Sequence, residues 1–170
     1  MHATSIYISK MHFLVLTMLL VLLGAFASSG QALHLPTAKI YAQKVVNETL
    51  AAHPDIMGLE ISAISPGKEE CTTIASDEES GIGEKCDRDE YDAMKTGKPF
   101  VDKTEEHEKQ FFEVNIPIHD ANGKAMAIVG IDFKPNPKQT AAQASEQAEQ
   151  IAKEIQAKVP SREKLYEPVK

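Results

Sequence analysis

The chain has 170 residues, with 18 Lys and Arg against 25 Asp and Glu, a formal net charge of −7 at pH 7. That length holds one domain with room for an extra helix. An acidic balance with only two arginines, Arg88 and Arg162, argues against nucleic acid and anionic membrane surfaces as partners.

The first segment reads as a signal peptide. Lys10 and His12 precede the unbroken apolar run "FLVLTMLLVLLGAFA", Phe13 to Ala27, and the chain then offers two small-x-small exits, Ala25-Phe26-Ala27 and Gly30-Gln31-Ala32. The run is short for a bilayer span, which takes about 20 apolar residues. An uncleaved N-terminal anchor is the other reading. Either way the expectation is an exported protein, periplasmic or secreted, with no cytoplasmic domain following in this chain.

Next comes "LPTAKIYAQKVVNETLAAHPD", with a helix-start signal at Pro36 and Thr37. Ala38, Tyr41, Ala42, Val45, Val46 and Leu50 recur at helical spacing up to Pro54. Asn47-Glu48-Thr49 matches a glycosylation acceptor, but inside a packed helix it reads as ordinary helix surface. "IMGLEISAIS" alternates Leu59, Ile61 and Ala63 against Glu60, Ser62 and Ile64, a strand. Ser65-Pro66-Gly67-Lys68 is a turn, and "EECTTIAS" a second strand, antiparallel to the first. "DEESGIGEKCDRDE" is an acidic loop, "RDEYDAMKTG" a short helix closing on Gly97, and "KPFVDKT" a third strand. Cys71 and Cys86 are the only cysteines. In an oxidising compartment such a pair is bridged; two unpaired thiols are the alternative.

"FFEVNIPIHDANGKAMAIVGIDF", Phe111 to Phe133, supplies strands four and five. Asp120-Ala121-Asn122-Gly123 fits a four-residue loop or a two-residue turn around Asn122-Gly123. In either, Phe112, Val114, Ile116 and Ile118 share one face with Ala125, Ala127, Val129 and Ile131. The other face carries Glu113 and Asn115 with Met126, Ile128, Gly130 and Asp132. A three-residue turn would swap the faces and bury Asp132 in the core, at a cost of several kcal/mol. We therefore expect Asp132 on a half-polar second face. Glu113, Asn115 and Asp132 there would orient a ligand over a floor of Met126 and Ile128, with room at Gly130. The plainer reading is a solvated strand end.

Pro135-Asn136-Pro137 halts the sheet. The helix "KQTAAQASEQAEQIAKEIQAKV" follows, with a stripe of Ala141, Ala144, Ala148, Ile151, Ala152, Ile155 and Val159 suited to packing on a sheet or on a copy of itself. "PSREKLYEPVK" reads as a tail. The order predicts an α+β fold: a five-stranded antiparallel sheet between a long N-terminal and a long C-terminal helix.

The succession of "IAS", "GIGEKC", "AMKTGKPF" and "NIPIHDANGKAMAIVGIDF" resembles the single Cache family, extracellular PAS-like sensor domains, over roughly residues 36–134. Together with the segments read above, it divides the chain into a signal peptide over 1–32, a sensor domain over 33–136, and an amphipathic helix with its tail over 137–170. The resemblance also implies a ligand on the sheet face roofed by the acidic loop and the short helix, which brings in Tyr91 on that helix and Lys98 at its joint with the third strand. In related double Cache domains an acid near the end of the last strand binds a ligand amine, and Asp132 is similar in position. Two departures matter. The chain ends in a soluble helix rather than a membrane span, and "KPFVDKT" lacks the arginine and aromatic set of amino-acid-binding members.

The expected function is a non-catalytic sensor for an amine-bearing or cationic small molecule. It would pass occupancy to a partner protein or second copy through its terminal helices. An exported interaction protein with no pocket is the alternative, and an enzyme using Glu113 and Asp132 as an acid/base pair a further one. No cofactor is expected. Neither "SDEESG" nor "CDRDEYD" meets the spacing of a calcium loop. His107 and His119 lack a third ligand for a metal, and no Gly-x-Ser-x-Gly elbow is present.

Overall fold

A computed structural model describes residues 36–106 and 109–169. The expected signal peptide and His107 lie outside the described residues. Among those described, no helix is long and apolar enough to cross a membrane.

Helix α1 (Tyr41–Ala52) leads into strand β1 (Ile56–Ile64) and β2 (Cys71–Ser76). A single 3-10 turn (Glu79–Gly81) and α2 (Arg88–Thr96) precede β3 (Phe100–Glu106), β4 (Lys109–His119) and β5 (Ala125–Phe133). Helices α3 (Ala141–Lys158) and α4 (Arg162–Leu165) close the chain. All strand pairs are antiparallel, in the order β2-β1-β5-β4-β3. The mixed α+β class with five antiparallel strands is as expected. The long N-terminal helix is not: α1 has 12 residues and starts at Tyr41, four residues beyond Thr37.

One sheet face carries the core. Leu59 and Ile61 of β1, Val114, Ile116 and Ile118 of β4, and Val129, Ile131 and Phe133 of β5 are buried there. They pack against Val45 and Val46 of α1 and Ile151 and Ile155 of α3. The small-residue stripe of α3 is the reason that helix can lie close on the sheet. Ala144, Ala148 and Ala152 are buried within the chain, so the stripe is not available to a second copy. Nor is the C-terminus a loose tail. Leu165 is fully buried, Glu167 O accepts from Tyr41 N at 2.8 Å, and Val169 N donates to Lys39 O at 3.1 Å. Residues 137–169 thus belong to the same compact unit as the sheet.

The hairpin corrects the turn but keeps the faces. Asp120 N donates to Lys124 O at 2.9 Å, enclosing three residues, with Gly123 at φ 77°. This is the three-residue turn that strand parity alone rejects. Its swap is undone one step later by a bulge: Ile118 pairs with Ala127 but His119 with Ala125, leaving Met126 as the extra residue. Beyond the bulge Val114 faces Ile131 and Glu113 faces Asp132, as the burial argument demands. Met126 packs with the main core and does not floor a cleft beside Glu113 and Asp132.

The second face is roofed at one end by α2. Asp87 caps that helix with a reciprocal Glu90 bond, and Gly97 at φ 66° ends it. Beneath it Ala93, Phe111 and Ile128 are buried. Cys71 and Cys86 form a disulfide, and the chain from Gly83 to Cys86 runs beside β2 through Gly83 N to Thr73 O at 2.8 Å and Cys86 N to Cys71 O at 3.1 Å.

Candidate functional site

Beside this roof lies an open cleft of about 500 Å³, lined by β1, the end of β2, the loop after it, one residue of β4 and two of β5. Its acids follow from the register. Gly58 of β1 pairs with Asp132 of β5, which pairs with Glu113 of β4, which pairs with Asp102 of β3. Three carboxylates therefore stand in one row across neighbouring strands, an arrangement that repels unless a proton or a cation intervenes. In the next row Glu60 pairs with Gly130, and Gly130 with Asn115.

The two glycines make the acid cluster possible. A Cβ on Gly58 would stand 2.7 Å from Asp132 Oδ2, and one on Gly130 would stand 2.9 Å from Glu60 Cγ and 3.1 Å from Asn115 Oδ1. Each strand thus supplies a bare backbone over which the other strand's carboxyl lies. The room expected beside Asp132 at Gly130 is taken by Glu60. We expect Gly130→Ala to cost about 1–3 kcal/mol by overpacking, because Glu60 and Asn115 must both shift. Gly58→Ala crowds Asp132 alone, at Oδ2 and, at 3.2–3.3 Å, at Cβ and Cγ, so one side chain must shift rather than two and the cost should be lower. Urea unfolding of the two variants checks the order.

Burial strips Glu60 of water, and the carboxylates of Glu90, Asp132, Glu113 and Asp77 add repulsion, so its pKa is pushed up to about 8. Burial also raises Glu113, opposed by the hydrogen bond that Asn115 Nδ2 donates to its Oε1 at 3.2 Å. The other end of that amide, Asn115 Oδ1, has no hydrogen-bond partner among the described residues, although Asn115 is only 2 % exposed. A buried acceptor left unmatched costs about 1–3 kcal/mol. Glu90, 5 % exposed, repeats the pattern: Oε2 accepts from Asp87 N at 2.8 Å and Oε1 has no partner among the described residues.

Of the expected site residues, Asp132, Glu113 and Gly130 line the cleft, and Asn115 is buried beside it. Tyr91 does not line it; 43 % exposed on the outside of α2, its hydroxyl accepts from Cys71 N at 3.4 Å. Lys98 is exposed beyond the Gly97 cap, where the left-handed residue turns the chain outward, and is not a lining residue. Ile128 is buried on this face without lining the cleft. Sequence reasoning missed Glu60, and with it Asp77, whose carboxylate Oδ1 accepts from Leu59 N at 2.9 Å. The signal for Glu60 was a Gly-x-acid triplet on both strands, Gly58-Leu59-Glu60 and Gly130-Ile131-Asp132.

Among the described residues the lining contains six carboxylates and no lysine, arginine or histidine. Such a surface offers acceptors and negative charge, which suits a cationic guest with N–H donors. Among the described residues no group of three or more His, Cys, Asp or Glu is placed to hold a metal ion.

The sequence matches no protein-family model and no curated protein. Several solved structures share part of the fold. The GAF domain of a two-component sensor histidine kinase from Bacillus halodurans is 11 % identical over 67 % of this chain and 90 % of that one, at a TM-score of 0.47. The Agobacterium tumefaciens repressor BlcR is 14 % identical over 71 % of this chain and 68 % of its own, at 0.48. A type II free methionine-R-sulfoxide reductase from Thermoplasma acidophilum is 11 % identical over 74 % and 92 %, at 0.44. At these values none of them bears on the chemistry of the cleft.

Proposed function

We propose that this protein is an exported, non-catalytic sensor module of the single Cache type, and that its cleft binds a small amine-bearing or otherwise cationic molecule. The observation that carries the reading is the meeting of Glu60, Glu113 and Asp132 over two glycines, with an unmatched acceptor, Asn115 Oδ1, beside them. The placement of the cleft on the sheet face away from α1 and α3, next to α2 and the acidic loop, agrees with where the resemblance puts a ligand.

Occupancy has a short route to α1. Ser76 lines the cleft, and both of its backbone groups are held by one buried side chain of α1: Gln43 Nε2 donates to Ser76 O at 2.7 Å and Gln43 Oε1 accepts from Ser76 N at 3.1 Å. The first turn of α1 is in turn tied to the C-terminal segment through Tyr41 and Glu167. A partner would read that pair of chain ends.

Thermal melts at pH 8 with mono- and diamines test this. A ligand at 100 times its Kd stabilises by about 2.7 kcal/mol, a rise of several degrees, and Asp132→Asn or Glu113→Gln should remove it. Flat melts with every amine, together with association that grows with protein concentration, would favour the pocketless interaction protein instead.

A further inference from the structure

Glu60 is surrounded by its own kind. Glu90 faces it from α2, Asp132 from β5, Glu113 from β4 and Asp77 from just past the end of β2, and these four carboxylates are the largest charges acting on it among the described residues. Carboxylates gathered from four elements in a partly dry cleft cannot all be ionised at once. Unpaired acceptors lie among them. Asn115 is 2 % exposed, its Nδ2 is committed to Glu113, and its Oδ1 lies against Gly130 beside the Glu60 side chain. Glu90 Oε1 is a second such acceptor. Acceptors in this position call for a donor, and two kinds of donor would also lower the negative charge: a proton on one of the carboxyls, or the N–H groups of a cationic guest.

We propose that cation binding in this cleft is a proton exchange: Glu60 holds a proton in the unliganded protein and releases it to water as a guest ammonium enters between Glu60, Glu113 and Asp132. Charge balances, since one positive charge replaces another and no bond other than the carboxyl O–H is broken. The elevated pKa of Glu60, about 8, is in keeping with a proton retained through neutrality. The consequence is regulation. Acid suppresses occupancy by competing for the same carboxyl, and a fall in external pH empties the sensor without any change in ligand concentration. The proposal rests on the reading of the cleft as a cation site.

Two measurements on the whole protein test it, with 1,4-diaminobutane as the probe. Carbon-13 NMR of glutamate-labelled protein, with the Glu60 signal assigned by its loss in Glu60→Gln, should show that carboxyl still protonated at neutral pH. Calorimetry at pH 6.5 in cacodylate and in MES should show about one proton released per diamine. Affinity should climb by up to tenfold per pH unit below pH 8, then level off, and Glu60→Gln should flatten the profile. Diamine binding with equal heats in both buffers and a flat pH profile overturns the exchange and leaves the cation site standing. A Glu60 carboxyl that titrates in the ordinary range overturns the exchange as well. No diamine binding up to pH 9, with Glu60 nonetheless protonated at neutrality, overturns the cation site and the exchange together.

Discussion

Glu60→Gln should make the protein more stable at pH 9 and leave it nearly unchanged at pH 5. A group whose pKa is higher folded than unfolded stabilises fully below its unfolded value and loses that contribution as pH rises through its folded value. For Glu60 the window runs from 4.5 to about 8. Each unit is worth about 1.4 kcal/mol, and residual solvent in the open cleft cuts the total to about 2–3 kcal/mol. Glutamine has the shape of the protonated acid, keeps a donor for Asn115 Oδ1 and never ionises, so it escapes the loss. The expected gain at pH 9 is a melting point several degrees above that of the unmodified protein. Glu113, also raised by burial, acts in the same direction and keeps some slope in the variant. Asp120 and Glu163 oppose it only in acid: backbone hydrogen bonds lower both, so their contributions are present above the ordinary carboxylate range and disappear as pH falls through their lowered values. Asp89 at the start of α2 is also raised, by burial and its acidic neighbours, so the cleft's share of the slope is the part that Glu60→Gln removes. Melting curves between pH 5 and 9 decide the matter, and a variant that melts below the parent at pH 9 would refute the assignment.

The faces of the hairpin were legible because burial is unforgiving: Val114, Ile116, Val129 and Ile131 leave no second side for Asp132 to occupy. The route to that result was not. A three-residue turn and a bulge at Met126 cancel, and a sum of two one-residue shifts looks, from the sequence, like no shift at all. Gly97 was legible as a helix end for a different reason, since a left-handed cap is a local property. Glu60 was not legible, because a polar residue in an alternating strand reads as solvent-facing until the neighbour across the sheet is known. Only the pairing of Glu60 with Gly130 and of Gly58 with Asp132 turns two ordinary triplets into one cluster. The α3 stripe left a choice between a sheet and a second copy. Small residues announce close packing but not against what, and here the sheet supplies the surface that a second copy would have offered.

Opening the Cys71–Cys86 bridge should cost about 3 kcal/mol, the loop entropy returned to the unfolded chain by a ring of this size, and lower the melting point by roughly 10 °C. Reduction of the intact protein is the cleaner form of the experiment. It leaves two thiols where the sulfurs were, whereas Cys71→Ala with Cys86→Ala also removes buried volume. The bridge does more than shorten the unfolded chain. It fixes the start of β2 to the residue before the Asp87 cap, so the loop that supplies Asp77, Glu78 and Glu84 to the cleft is held at both ends. With the bridge open, the loop is left with the backbone hydrogen bonds from Gly83 to Cys86 along β2, the Lys85–Glu70 ion pair and the contact of Tyr91 with Cys71 N. The carboxylates of that loop then spread apart under their own repulsion. Reduced protein should therefore lose affinity for a diamine well below its melting point, while the α1 and α3 side of the sheet keeps its far-ultraviolet circular dichroism. A reduced form that melts within a degree or two of the oxidised one would show that the loop is held by its backbone alone.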